Sequence, residues 1–230
     1  MKFITTLTLA IVFMGGFRGL ALAQSETLSD LEVRRVAFLN ALSLSVDELK
    51  SISGSLSQFK NFTKTEEAFK NNLLSDSVNF LNIYQGLISF ASSENDVEAL
   101  KERVQDFKEW RENFYLPWLQ RASDFILISR NANVLNIAKA RLQKIAADLE
   151  KLESSGLDTA ELRESLRQAQ LFITEANDFQ VRAQDAFWSD LRYTLNKPTV
   201  KDLVSVSLER IRSAYQVFFE MSNLVRKLLN

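Results

Sequence analysis

Between residues 28 and 59 the apolar side chains keep one spacing. Leu28, Leu31, Arg35, Phe38, Leu42, Ser45, Leu49, Ile52, Leu56 and Phe59 follow one another in steps of three and four, and eight of these ten are apolar. Such a seven-residue seam keeps one face of an α-helix turned toward a neighbouring helix. The phase runs through Gly54, so one helix over 26–60 is expected, with the glycine a weak point worth about 1 kcal/mol. The competing signal is Ser45-Val-Asp-Glu48, which reads as a helix start.

The pattern recurs. Thr63 with Glu66 forms a capping-box signature that opens a second helix, to about residue 91, with Phe69, Leu73, Leu74, Phe80, Leu81, Tyr84, Leu87 and Ile88 inward. Ser93 with Asp96 can open a third, whose buried stripe is Val97, Leu100, Val104, Phe107, Trp110 and Phe114. Pro117 falls inside this run, so the helix must kink or restart there before Trp118, Ala122, Phe125 and Ile126 resume the stripe. Asn131-Ala132-Asn133 reads as a reversal or a domain boundary, because Asn is a poor helix-interior residue and a good cap. The cleanest seam follows, Leu135, Ala138, Leu142, Ile145, Leu149 and Leu152. Gly156 ends it as a left-handed cap with Leu157 as the apolar clasp, and Asp158 with Glu161 caps the next helix. That fifth helix is expected over 159–195, with Ala169, Ala176 and Ala183 recurring every seven residues. After Asn196-Lys-Pro198, Thr199 with Asp202 opens the sixth. There Val204, Ile211, Phe218 and Val225 form one seven-residue series, and Leu208, Tyr215, Ser222 and Leu229 another.

The expected fold class is therefore all-α, an elongated antiparallel, coiled-coil-like bundle of about six long helices. Six Gly and two Pro in 230 residues are too few for the turns of a β-rich fold. Two arrangements fit: two three-helix units, 24–131 and 132–230, or one continuous bundle over 24–230.

The first 23 residues read as a signal peptide. Lys2 supplies the positive start, residues 3–17 are almost unbroken apolar and small, and Ala21-Leu22-Ala23 matches a small-x-small cleavage site. The apolar run is shorter than the roughly 20 residues that span a bilayer, although retention as an anchor is the alternative. Without Lys2 and Arg18 the remainder holds 26 basic and 29 acidic residues, a net charge of −3. That balance gives no electrostatic case for nucleic acid or for an anionic membrane surface. An exported chain without Cys cannot rest its stability on disulfides, and no lipid-anchored N-terminal Cys is possible.

The chain has no His and no Cys. Di-iron sites with Glu-x-x-His, axial-His haem, zinc hydrolase sites, Ser-His-Asp triads and Cys nucleophiles are all excluded. No Gly-rich phosphate loop is present. Glu109 and Glu112 beside Arg111 read as a solvated helix face rather than a pair of acids. No enzyme activity, metal or cofactor is expected. Asn61-Phe62-Thr63 matches a glycosylation sequon, but the helix cap is the plainer reading. One candidate surface remains. Trp110, Phe114, Tyr115 and Trp118, with Arg111 and Arg121 at the rim, could form an aromatic platform at the proline for a sugar, a peptide or a partner helix. The plainer alternative is that the rings fill the space at the bend. Trp188 and Tyr193 could form a smaller second patch.

The pattern Trp110-Arg111-x3-Tyr115-x-Pro117, with Phe125-Ile-Leu, Ala138-x2-Arg141-Leu-x-Lys-Ile145 and Ala214-Tyr215-x2-Phe218-Phe219, resembles an uncharacterised family of exported, all-helical proteins from uncultured small-genome bacteria. The resemblance covers the C-terminal half or more. It implies compartment and fold, and it carries no activity and no site residues. The expectation is an exported, non-enzymatic bundle that acts through protein–protein contacts at the cell envelope, periplasmic or at the surface, with an unknown protein partner, as a monomer or homodimer. The alternatives are a peripheral lipid-binding protein, or a glycan-binding module at Pro117.

Overall fold

The computed structural model describes residues 30–60, 62–189 and 198–228, and every element among them is helical. In order these are α1 (Asp30–Gln58), α2 (Lys64–Ser93), α3 (Val97–Trp110), a π-helical segment (Arg111–Tyr115), α4 (Leu116–Ser154), α5 (Ala160–Trp188) and α6 (Val200–Leu228). The expected start at Glu26 and the segment 190–197, including Tyr193 and Asn196, lie outside the described residues, as do Asn61 and Leu229.

Local chemistry sets most boundaries. The Thr63 side chain accepts from the Glu66 amide while the Glu66 carboxylate accepts from the Thr63 amide, closing a capping box at α2. Thr199 and Asp202 make the same reciprocal pair at α6. At the end of α4, Gly156 adopts φ 80°, and the Leu157 amide reaches back to the Leu152 carbonyl at 3.3 Å. This is the left-handed reversal that only glycine enters cheaply. Two caps differ from expectation. Asp96, not Ser93, caps α3, accepting from the Glu98 amide. Asp158 accepts from the Ala160 amide, while the Thr159 hydroxyl and Arg163 converge on Glu153. The α1 helix passes through both Ser45 and Gly54 without a break.

The chain does not reverse at Asn131–Asn133, so the expected third and fourth helices are one, and the described residues form five rods rather than six. Backbone dihedrals stay right-handed helical at Trp110, Arg111, Tyr115 and Leu116, and α4 then runs 39 residues unbroken. Together, 97–154 form a single rod of roughly 85–90 Å at 1.5 Å per residue. Asn131 does not cap because its side chain is used elsewhere. It is buried inside the bundle, where it donates to Gln180 Oε1 (2.6 Å) and Ser207 Oγ (2.9 Å).

Side-chain pairings give the packing. Along α1, Phe38, Ser45, Glu48 and Ser55 meet Phe107, Arg111, Tyr115 and Arg130 of the rod in ascending order. Along α2, Phe69, Leu73, Phe80 and Tyr84 meet Phe125, Trp118, Trp110 and Phe107 in descending order. Past Gly156, α5 descends the rod, pairing Glu153 with Arg163, Lys139 with Asn177 and Asn131 with Gln180. The α6 helix packs on α5, where Arg210 meets Glu175 at 3.0 Å.

The buried apolar residues fall into two clusters on this rod. One gathers Phe38, Leu42, Leu49, Leu56, Leu73 and Tyr84 with Phe107 to Ile128 of the rod, closed by Phe187 and Val204. The other gathers Leu135, Ala138 and Leu149 with Leu162, Ala169, Ile173 and Ala176 and with Ile211 to Met221. Between them lies a polar layer. Asn131 bridges Gln180 and Ser207, Gln180 donates to the Ile128 carbonyl (3.2 Å), and Ser207 donates to the Ala176 carbonyl (2.8 Å).

Replacing Asn131 with Ala should cost about 1–3 kcal/mol, because the Gln180 carbonyl is left buried without its donor. Asn133→Ala, on the exposed side of the same turn, should stay within about 0.5 kcal/mol. Urea unfolding midpoints of the two variants compare them directly.

Candidate functional site

The densest cluster of polar and aromatic chemistry surrounds the π segment. Its origin is Pro117, which lacks an amide proton and whose ring would strike the carbonyl four residues back. The chain answers by inserting one extra residue into the turn. The Leu116 amide reaches the Arg111 carbonyl five residues back, which is the π-helical bond, and such single-turn insertions recur at functional sites.

The insertion changes which residues face inward. Continuing the stripe from Phe107 and Trp110 at regular α-helical spacing puts Phe114 inside, as expected from the sequence. In the structure Phe114 is 61% exposed and Tyr115 is fully buried. The extra residue rotates everything after it by about 100°, one residue's worth of helix, so Tyr115, Trp118, Ala122 and Phe125 form the inner stripe. Val104, also expected inside, is exposed.

Around this turn α1 and α2 supply partners. Tyr115 donates to Glu48 Oε2 at 2.8 Å. Arg111 donates to Ser45 Oγ at 2.6 Å, with its other terminal nitrogen 3.7 Å from Glu48 and its guanidinium 5.3 Å from the Tyr115 ring. Tyr84 lies beside Ser45 and Tyr115, yet its hydroxyl makes no hydrogen bond of good geometry. Burial pushes the Tyr84 phenol up to about 12. Burial, then the Glu48 charge, raises Tyr115 further. Both phenols are held neutral, so Tyr115 serves as a donor to the carboxylate and not as a base.

Of the expected platform, Phe114 faces outward as described above, and the other five residues are placed as follows. Trp110 is half-buried, edge-on to Phe80 and Tyr84 with centroids 5.4 and 5.8 Å apart, and stacked on Phe107. Tyr115 and Trp118 are buried and stacked on each other, and the Trp118 indole donates to the Leu73 carbonyl at 3.3 Å. Arg111 points into the cluster described above. Arg121 is half-buried, its guanidinium 5.3 Å from the Phe69 ring. Trp110, Tyr115 and Trp118 thus stack in a row, and Phe80 of α2 packs edge-on against all three, which turns that face of the row inward. Glu109 and Glu112 are exposed, and Glu109 accepts from Gln105. Trp188 is partly exposed, edge-on to Phe69 and Phe187.

Sequence reasoning missed Ser45, Glu48, Phe80 and Tyr84 as members of this cluster. One signal was present: Ser45 occupies a seam position that calls for an apolar residue, and it is there to accept from Arg111.

The surface hollows lie away from the π segment. One, of about 450 Å³, is lined on α6 by Arg212, Tyr215, Gln216, Phe219 and Glu220. Another, of about 210 Å³, lies among Phe90, Ala99, Glu102, Arg103 and Asp106. Among the described residues no three His, Cys, Asp or Glu side chains gather as a metal site would require.

Trp118→Ala should cost about 3–5 kcal/mol in urea unfolding, because it empties a filled ring site and deletes a buried hydrogen bond. The phenols give stability a pH dependence. Unfolded Tyr ionises near pH 10, while folded Tyr84 holds its proton to about 12. The contribution is complete below pH 10 and is lost as pH rises toward 12, because only the unfolded chain has given up the proton. Unfolding midpoints measured from pH 9 to 11.5 should fall, and Tyr84→Phe should fall less steeply.

Against protein-family models, curated proteins and solved structures, the chain gives no match.

Proposed function

We propose that this chain is an exported, non-enzymatic helical-bundle protein that acts through protein–protein contacts at the cell envelope. In this reading, 24–230 is an antiparallel bundle of two three-helix units that share the central rod. The signal segment 1–23 directs export, with cleavage after Ala23, as the Ala-Leu-Ala motif behind an apolar run supports. Membership of the exported helical family that the sequence resembles belongs to the same proposal.

The observation that carries the reading is the set of large apolar side chains standing on outer faces of helices whose inner seams are already filled. Phe114 on the π segment, Ile137 on α4 and Phe219 on α6 are each more than half exposed. Each belongs to a rod whose inner positions are buried, so none is needed to close the core. Exposed apolar surface beyond what a fold needs is what docking surfaces are made of. The mixed surface charge and the absence of a described helix long and apolar enough to cross a membrane leave contact with another protein as the simplest use for these residues.

In-cell crosslinking with partner identification tests this. Phe114→Ser and Phe219→Ser should leave the urea midpoint within about 0.5 kcal/mol of the parent and reduce the captured species. A chain that is monomeric and captures nothing from envelope extract would overturn the reading. Co-flotation with neutral or anionic vesicles would move it to a lipid surface.

A further inference from the structure

The C-terminal helix carries a second seam of which the core uses only Tyr215. On α6, Leu208, Arg212, Tyr215 and Phe219 follow in steps of four, three and four, flanking the buried series Val204, Ile211 and Phe218. Phe219 is 67% exposed, the highest value among the large apolar residues. Tyr215 is fixed from both sides, by Arg141 of α4 at 5.3 Å and by the edge of Phe218 at 5.5 Å. With Gln216 and Glu220, these residues line one open hollow.

Among the described residues the charges on that face have no ion-pair partner. Arg212 and Glu220 form no ion pair with a described residue. They stand eight residues apart, about 12 Å along the axis, which is too far to meet each other. They lie at equal distances on either side of Gln216. A face with a cation and an anion symmetric about one residue is complementary to itself when two copies run antiparallel, since a two-fold contact of i with j repeats as j with i.

We propose that this hollow is a homodimer interface in which α6 of two copies packs antiparallel about a two-fold axis at Gln216. Arg212 of each copy faces Glu220 of the other, and Phe219 of each closes over the other's hollow. The proposal rests on the protein-contact reading above and names one partner, a second copy of the chain. Like charges would meet if the two helices ran parallel in register, so the arrangement of charge selects the antiparallel orientation.

Sedimentation equilibrium of the full chain from low micromolar to submillimolar concentration tests the proposal, with circular dichroism to confirm that each variant stays helical. The parent should self-associate. R212E and E220R should each weaken the dimer by about tenfold or more, since each sets two like charges face to face. R212E/E220R should restore it to within about threefold of the parent, because the pair is exchanged intact. A parent chain that stays monomeric throughout overturns the proposal. So does a dimer that both single reversals leave unchanged, or a double reversal that fails to restore what the singles remove. If R212E is monomeric and still captures the same envelope proteins on crosslinking, the wider contact reading stands, so the two can fail separately.

Discussion

One absent amide proton organises the middle of this molecule. Pro117 cannot close the turn in which it sits, and a helix that broke there would have given two short helices meeting at an angle. Widening that turn by one residue keeps the backbone helical from Val97 to Ser154. It also resets the phase of everything downstream. The ring at 115 goes in, the ring at 114 goes out, and Trp118, Phe125 and Ile128 line up on the same face as Phe107. Both apolar clusters depend on that alignment, since the rod supplies residues to each.

The polar layer at Asn131, Gln180 and Ser207 has a complementary role. Hydrophobic packing along long helices tolerates sliding by a turn, because one Leu resembles the next. An amide that must meet both a carboxamide and a hydroxyl from two other helices does not tolerate it. The layer lies where one apolar cluster gives way to the other, and it draws on the rod, α5 and α6 together. It fixes their mutual register at a cost in apolar burial. The Asn131 carbonyl oxygen remains without a partner, which is part of that cost.

What could be read from the sequence was what neighbouring residues decide. The α1 seam, the capping boxes at Thr63 and Thr199 and the left-handed turn at Gly156 rest on spacing or contacts within a few positions, and among the described residues, from Leu31 onward in the seam, each is found as expected. What could not be read was decided across helices. Phe114 and Tyr115 are equally good core residues on propensity, and only the π insertion, packed against Phe80 of α2, chooses between them. Asn131 carries the composition of a cap, and only the arrival of Gln180 and Ser207 from residues 49 and 76 positions away makes it an interior residue. Tyr115 and Trp118 are turned inward for the same reason: spacing along one helix said nothing of the Phe80 ring that α2 packs against the row. Glu48 gave no signal at all, since its partner Tyr115 is 67 residues distant.

The shared rod also bears on how the fold comes apart. Melting either cluster would strip tertiary support from about half of a single helix, while the other half stayed bound. An isolated helical stretch in water is only marginally stable, so the freed half would fray back toward the polar layer and stop where Gln180 and Ser207 still hold Asn131. A disturbance at one end would therefore unwind one half of the common spine as far as the polar layer and leave the other half wound.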